Sequence, residues 1–184
     1  MRKIAIFLTL ISLPAAALDY GLSGAFSVAS YDDPDGTNTG TLKSLDLNTS
    51  YDLRRRGQRV VGGIGLLRGG ADPGPREVNI DASGYYVYSE YERRFPLGRT
   101  LSETWLAVGG RFSVYDYSTR YTQTDDGFLK EAFEDRSEQS LEVVGRAGYQ
   151  FYHGGTARSF PAVYVTYPIT GSVATYGISY RVSF

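Results

Sequence analysis

The 184-residue sequence predicts an all-β fold, an eight-stranded antiparallel up-and-down transmembrane β-barrel, on three observations. Apolar residues recur with period two through most of the chain, clearly in five of eight runs. The connections between runs alternate between tight and long. Charge is sorted by the same alternation, with arginines at the tight turns and carboxylates in the long connections. Composition agrees, because 16 Tyr, 9 Phe and 22 Gly favour strands, turns and bends over helices.

Residues 1–17 are expected to be a cleaved signal peptide ahead of a barrel domain at 18–184. Arg2 and Lys3 supply a charged start, Ile4 to Leu13 an apolar run, and Pro14-Ala15-Ala16-Ala17 a small-residue cleavage site. The apolar run is too short to cross a bilayer as a helix. Cysteine is absent, which removes disulfides, thiol catalysis and thiolate metal sites together. A net charge of -1 excludes a broadly basic nucleic-acid binder. No cofactor is expected.

In the first run, Tyr20, Leu22, Phe26 and Val28 oppose Gly21, Ser23, Ala25, Ser27 and Ala29. In the second, Leu45, Leu47, Thr49, Tyr51 and Leu53 oppose Ser44, Asp46, Asn48, Ser50 and Asp52. The third, Arg59 to Gly69, is broken by glycines, and the fourth, Asn79 to Phe95, carries tyrosine on both faces. The fifth sets Leu106, Val108, Phe112 and Val114 against Glu103, Ala107, Gly109, Arg111 and Ser113. The sixth sets Leu141, Val143, Ala147, Tyr149 and Phe151 against Glu142, Arg146, Gly148 and Gln150. Pro161 interrupts the seventh, Ala157 to Tyr167, which shows no consistent face. The eighth is the most regular: Ala174, Tyr176, Ile178, Tyr180, Val182 and Phe184 oppose Val173, Thr175, Gly177, Ser179, Arg181 and Ser183.

Tight turns are expected at Arg54 to Gln58, Pro96 to Arg99 and His153 to Thr156. Long connections are expected at Asp32 to Gly40, Gly70 to Val78 and Thr119 to Gln139, with Pro168 to Ser172 as a short exception. Arg54, Arg55, Arg56, Arg59, Arg93, Arg94, Arg99 and Arg158 gather at the tight-turn end. Asp32, Asp33, Asp35, Asp72, Asp125, Asp126, Glu131, Glu134, Asp135 and Glu138 gather at the other. Within the longest connection, Phe128, Leu129 and Phe133 fit one face of a short helix over 127–136, a candidate contact surface for a protein partner.

Alternation alone also suits a soluble lipocalin-like barrel. Two features favour the membrane. The non-apolar face is crowded with Gly, Ala and Ser, as a narrow interior requires. Aromatic residues also gather at the tight-turn end of the apolar face, where an interfacial girdle belongs: Tyr20, Tyr51, Tyr91, Tyr149, Phe151, Tyr180 and Phe184.

The alternating Tyr176, Ile178, Tyr180, Val182 and Phe184 look like the final-strand assembly signal of outer-membrane barrels. With the leader, the strand count and the loop asymmetry, the chain resembles the small OmpA/OmpX-like barrel superfamily. That resemblance implies an outer-membrane location in a Gram-negative bacterium, among lipid and lipopolysaccharide. It also implies insertion by the barrel assembly machinery.

Eight strands enclose only enough room for side chains, so the inward charges should form a paired plug. The candidates are Asp46, Asp52, Glu90, Glu92, Glu103, Arg111, Glu142 and Arg146, with the carboxylates holding Arg111 and Arg146. Gly62-Gly63 with Gly65 has no following helix or Lys-Ser/Thr pair, and marks strand packing rather than a phosphate loop. The turn arginines Arg54 to Arg56 suit anionic headgroups or solvent. The expected function is non-enzymatic, structural or adhesive, through acidic outer loops. Two alternatives are a lipid A-modifying enzyme built on His153 and Ser159 and a narrow ion-conducting channel.

Overall fold

The computed structural model describes residues 18–33, 36–53, 57–71, 79–97, 103–125, 128–153 and 156–184. The expected leader and the turn residues Arg54 to Arg56 and Arg99 lie outside them. Every element among the described residues is a strand: β1 (Leu18–Asp33), β2 (Gly36–Asp52), β3 (Gln58–Ala71), β4 (Asn79–Pro96), β5 (Glu103–Asp125), β6 (Phe128–Tyr152), β7 (Arg158–Thr170) and β8 (Val173–Ser183). Each strand pairs antiparallel with its neighbours in sequence, and β8 closes on β1. Hydrocarbon cannot satisfy a free N–H or C=O, so closure is the form in which a sheet can exist there.

Alternation sends one set of side chains outward along every strand. Leu47, Ile64, Leu66, Leu106, Val108, Val163 and Ile178 belong to a large exposed apolar belt around the barrel, which water does not tolerate at that extent. The irregular runs have simple causes. On β4, Tyr85 and Tyr91 face out while Tyr86 and Tyr88 are buried inside, so its tyrosines are two populations. On β7, Phe160, Ala162, Tyr164 and Thr166 point inward, and Val163, Val165, Tyr167 and Ile169 outward. Pro161 has no N–H to give. Its pairing with Tyr180 on β8 is kept, but the β6 ladder is interrupted between Gly148↔Ala162 and Phe151↔Ser159.

The strands run further at the long-connection end than periodicity predicts. Within Asp32 to Gly40 every described residue is strand, and Asp33 pairs with Gly36. The expected helix over 127–136 is not formed: β5 and β6 continue as a hairpin to Asp125↔Phe128, and Phe128, Leu129 and Phe133 are strand residues. A lone helix of that length is marginal in water, whereas each further rung here extends a ladder already nucleated. The side chains of Phe128, Leu129 and Phe133 lie outside those described, as does the contact surface expected of them.

Candidate functional site

The barrel interior is filled in layers. Toward the long hairpins, Leu42, Leu67, Ile80, Tyr115, Tyr117 and Val173 belong to one buried apolar cluster. Beneath it, Arg111 and Glu142 are direct cross-strand partners on β5 and β6. Arg111 Nε donates to Glu142 Oε2 at 2.6 Å, and its Nη2 reaches the same carboxylate. The Tyr115 hydroxyl donates to Glu142 Oε1 at 2.9 Å and accepts from Arg111 at 3.1 Å.

The middle layer holds Asp46, Glu90 and Arg146. Arg146 Nε donates to Glu90 at 2.8 Å, and its guanidinium lies over the rings of Tyr88 and Tyr164. Among the described residues no arginine hydrogen-bonds to Asp46. It accepts instead from the hydroxyls of Ser23, Tyr86 and Tyr88 at 2.5, 2.9 and 2.9 Å, and from Asn48 at 3.2 Å.

Nearest the tight turns, one carboxylate serves two guanidiniums. Glu92 accepts from Arg181 at 2.6 Å and lies 2.7 Å from Arg59. The Arg59 contact is close but poorly aligned, so its three guanidinium nitrogens make no well-formed hydrogen bond. Both cations lie on the Phe160 ring, at 4.5 Å for Arg59 and 4.3 Å for Arg181. Trp105 meets Phe160 edge-on. Among the described residues, Asp46, Glu90, Glu92 and Glu142 are thus matched in number by Arg59, Arg111, Arg146 and Arg181.

Two glycines make the middle layer possible. On β3, Gly63 faces Tyr88 and Gly65 faces Tyr86 across the ladder, and a Cβ at Gly65 would sit 2.5 Å from the Tyr86 ring. Each tyrosine therefore lies across β3 to reach Asp46 on β2. Gly65→Val should dislodge Tyr86, leave Asp46 short of a donor, and cost about 1–3 kcal/mol as overpacking. Urea unfolding in lipid vesicles reads this, and an unchanged midpoint would refute it.

Several sequence expectations need correction. Arg111 and Arg146 do find Glu142 and Glu90, but Asp46 hydrogen-bonds to neither arginine. Glu103 lies at the barrel mouth, 3.7 Å from Arg94, and Asp52 pairs with Arg94 at 2.8 Å in a largely exposed position. Arg59, grouped with the turn arginines on sequence adjacency, is 1% exposed. Its parity with Val61 and Leu67 was the signal that it faces inward. Arg181 stands on the small-residue face of β8, yet one cation in a run of Thr, Gly and Ser did not stand out as a plug member. Arg158 contacts Asp19 at 3.6 Å, so among the described residues three of the turn-end arginines have carboxylate partners contributed by strands.

The outer face carries one polar pair near the tight turns. His153 Nε2 and Ser159 Oγ are 2.6 Å apart, and Ser159 is buried. Among the described residues no carboxylate hydrogen-bonds to His153, where a hydrolytic triad would place its orienting acid.

Neither the protein-family models nor the curated proteins contain a match to this chain. Solved structures do match. Neisserial surface protein A superposes with a TM-score of 0.53 at 13% identity, over 90% of this chain and 97% of that one. Ail, the attachment invasion locus protein of Yersinia pestis, gives 0.52 at 16% identity, over 90% and 98%. This chain has the fold of the small eight-stranded outer-membrane barrels. At such identities the likeness covers backbone architecture alone, so the charge plug and the outward pair are read from this chain's own residues.

Within that fold, the protruding hairpin is the other notable feature. Arg120 is the last β5 residue with a partner on β4, and Leu141 the first β6 residue with a partner on β7. Between them the β5–β6 ladder continues alone, so among the described residues 128–140 of β6 have no strand on their outer side. Glu138 braces the base: it accepts from Ser172 N at 2.5 Å and Ser172 Oγ at 2.8 Å, tying the hairpin to the β7–β8 turn.

Proposed function

We propose that this protein is a non-enzymatic outer-membrane barrel of a Gram-negative bacterium, closed to ion flow and engaged in surface contact through its long hairpins. The observation that carries this reading is the outer edge of β6 over 128–137, unpaired among the described residues, raised beyond the barrel and braced by Glu138. A strand edge offers a row of unpaired N–H and C=O groups on which an extended segment of another protein can add itself as a further strand. Glu134, Asp135 and Glu138, against Arg136, give that edge an acidic character, which favours a basic partner. The interior, filled by matched charges and aromatic rings, supports a structural role for the barrel itself.

The long hairpins face the exterior in this reading, because an even strand number puts both ends of the barrel domain with the tight turns, on the periplasmic side from which it inserts. Barrel lipids, lipopolysaccharide and the assembly machinery are its proposed companions. The name of Ail associates that protein with attachment and invasion, a role carried here only as part of the proposal.

The test replaces 121–132 with Asn-Gly, a two-residue turn that suits the Arg120↔Phe133 rung. Expressed in a non-adherent Gram-negative strain, the intact protein should confer adherence to cultured epithelial cells or immobilised matrix proteins. The shortened form should reduce it at least tenfold with unchanged heat-modifiable mobility. Equal adherence from both forms, or none from the intact protein, would overturn the proposal.

A further inference from the structure

We propose that a groove along the outside of β7 docks one acyl chain of a periplasmic-leaflet glycerophospholipid, whose ester region is held by His153, which Ser159 positions; the leaflet assignment rests on the orientation proposed above. The groove measures about 710 Å³, within the ~300–1,000 Å³ common for small-molecule sites. Its bed is the small outward side chains of Pro161 and Val163 on β7 with Ala147 on β6. Tyr149 and Phe151, their rings 4.5 Å apart, form one wall, and Tyr180 rises on the opposite side. Register produces this shape: Pro161 lies between β6 and Tyr180, and Val163 is level with Ala147 on one side and Ile178 on the other.

The next outward residue on β7 toward the tight turns is Ser159. A buried hydroxyl bonded to imidazole is out of place on a hydrocarbon-facing surface, where polar groups are costly unless they meet a polar partner. The groove's lining ends at Phe151 and Pro161, and Ser159, the direct cross-strand partner of Phe151, stands one outward position beyond it. With Nε2 engaged by Ser159, Nδ1 of His153 has no hydrogen bond among the described residues and can meet an ester or phosphate oxygen.

The setting selects the occupant. A groove opening into hydrocarbon admits only an apolar chain, and the polar pair at one end requires that the chain carry a polar head. Its position in the half nearest the tight turns places it in the leaflet of glycerophospholipid rather than of lipopolysaccharide.

The experiment incubates the detergent-solubilised full barrel with palmitoyl-oleoyl phosphatidylglycerol, phosphatidylethanolamine and lipid A together, and reads retained lipid by native mass spectrometry. Wild type should keep one phospholipid, as should Val108→Trp, which adds bulk to a lipid-facing site on β5 away from the groove. Val163→Trp and Ala147→Phe fill the groove and should each reduce retention at least tenfold, with either variant sufficient if the other does not fold. His153→Ala should reduce it at least threefold. Retention by Val163→Trp equal to that of Val108→Trp would overturn the proposal, as would a barrel dimer that Val163→Trp dissociates. Preferential retention of lipid A would overturn the leaflet assignment. None of these readouts depends on adherence, so the groove and the surface-contact reading can fail separately.

Discussion

Replacing Glu92 with alanine should be among the most damaging single changes in the barrel interior. Glu92 is fully buried and is the carboxylate shared by Arg181 and Arg59. Removing one partner of a buried ion pair typically costs ~3–5 kcal/mol, because the other charge is left without compensation. Here two guanidiniums are stranded on the same Phe160 ring, and they also repel each other. The expected loss is therefore at the top of that range, read as the change in unfolding free energy in lipid vesicles. Glu92→Gln keeps an acceptor oxygen and the side-chain volume, so it should fall between alanine and wild type. An alanine variant as stable as wild type would mean that water reaches these arginines and that the interior is not the dry plug described.

The second large effect is expected at the seam where β8 meets β1. Gly177 faces Ser27 there, and a Cβ at Gly177 would lie 2.1 Å from Phe26 O and 2.6 Å from Ser27 Cα. Both are backbone atoms, which cannot rotate aside as a side chain would. Gly177→Val should force the two strands apart and leave N–H and C=O groups unpaired in hydrocarbon, each costing several kcal/mol. The variant should fail to reach the compact, heat-modifiable form on refolding into vesicles. Gly110→Val, at a roomier position whose nearest contact would be 3.9 Å away, should refold. If Gly177→Val reaches the compact form as fully as Gly110→Val, the seam has slack that these distances do not show.

The sequence by itself determined the eight-stranded barrel and the faces of the regular strands, because period two is a property of extended backbone and needs no tertiary partner. Leu45 and Leu47 could be placed outside, and Asp46 and Asn48 inside, before any neighbour of β2 was known. It also marked Glu90, Arg111, Glu142 and Arg146 as inward charges, and His153 and Ser159 as potential neighbours. What it left open depends on which strands stand side by side and at what stagger. Asp46 finds tyrosine hydroxyls rather than arginine because Gly63 and Gly65 let Tyr88 and Tyr86 lie across β3. Arg59 and Arg181 come from strands β3 and β8, distant in the chain, and meet over Glu92 only when the sheet closes. Residues 119–139 carry no pattern that distinguishes a polar loop from a polar hairpin, since neither buries an apolar face. Only the ladder rising from the barrel beneath decides for the hairpin, because its first rungs are already formed and each further rung adds cross-strand backbone hydrogen bonds without a new nucleation cost.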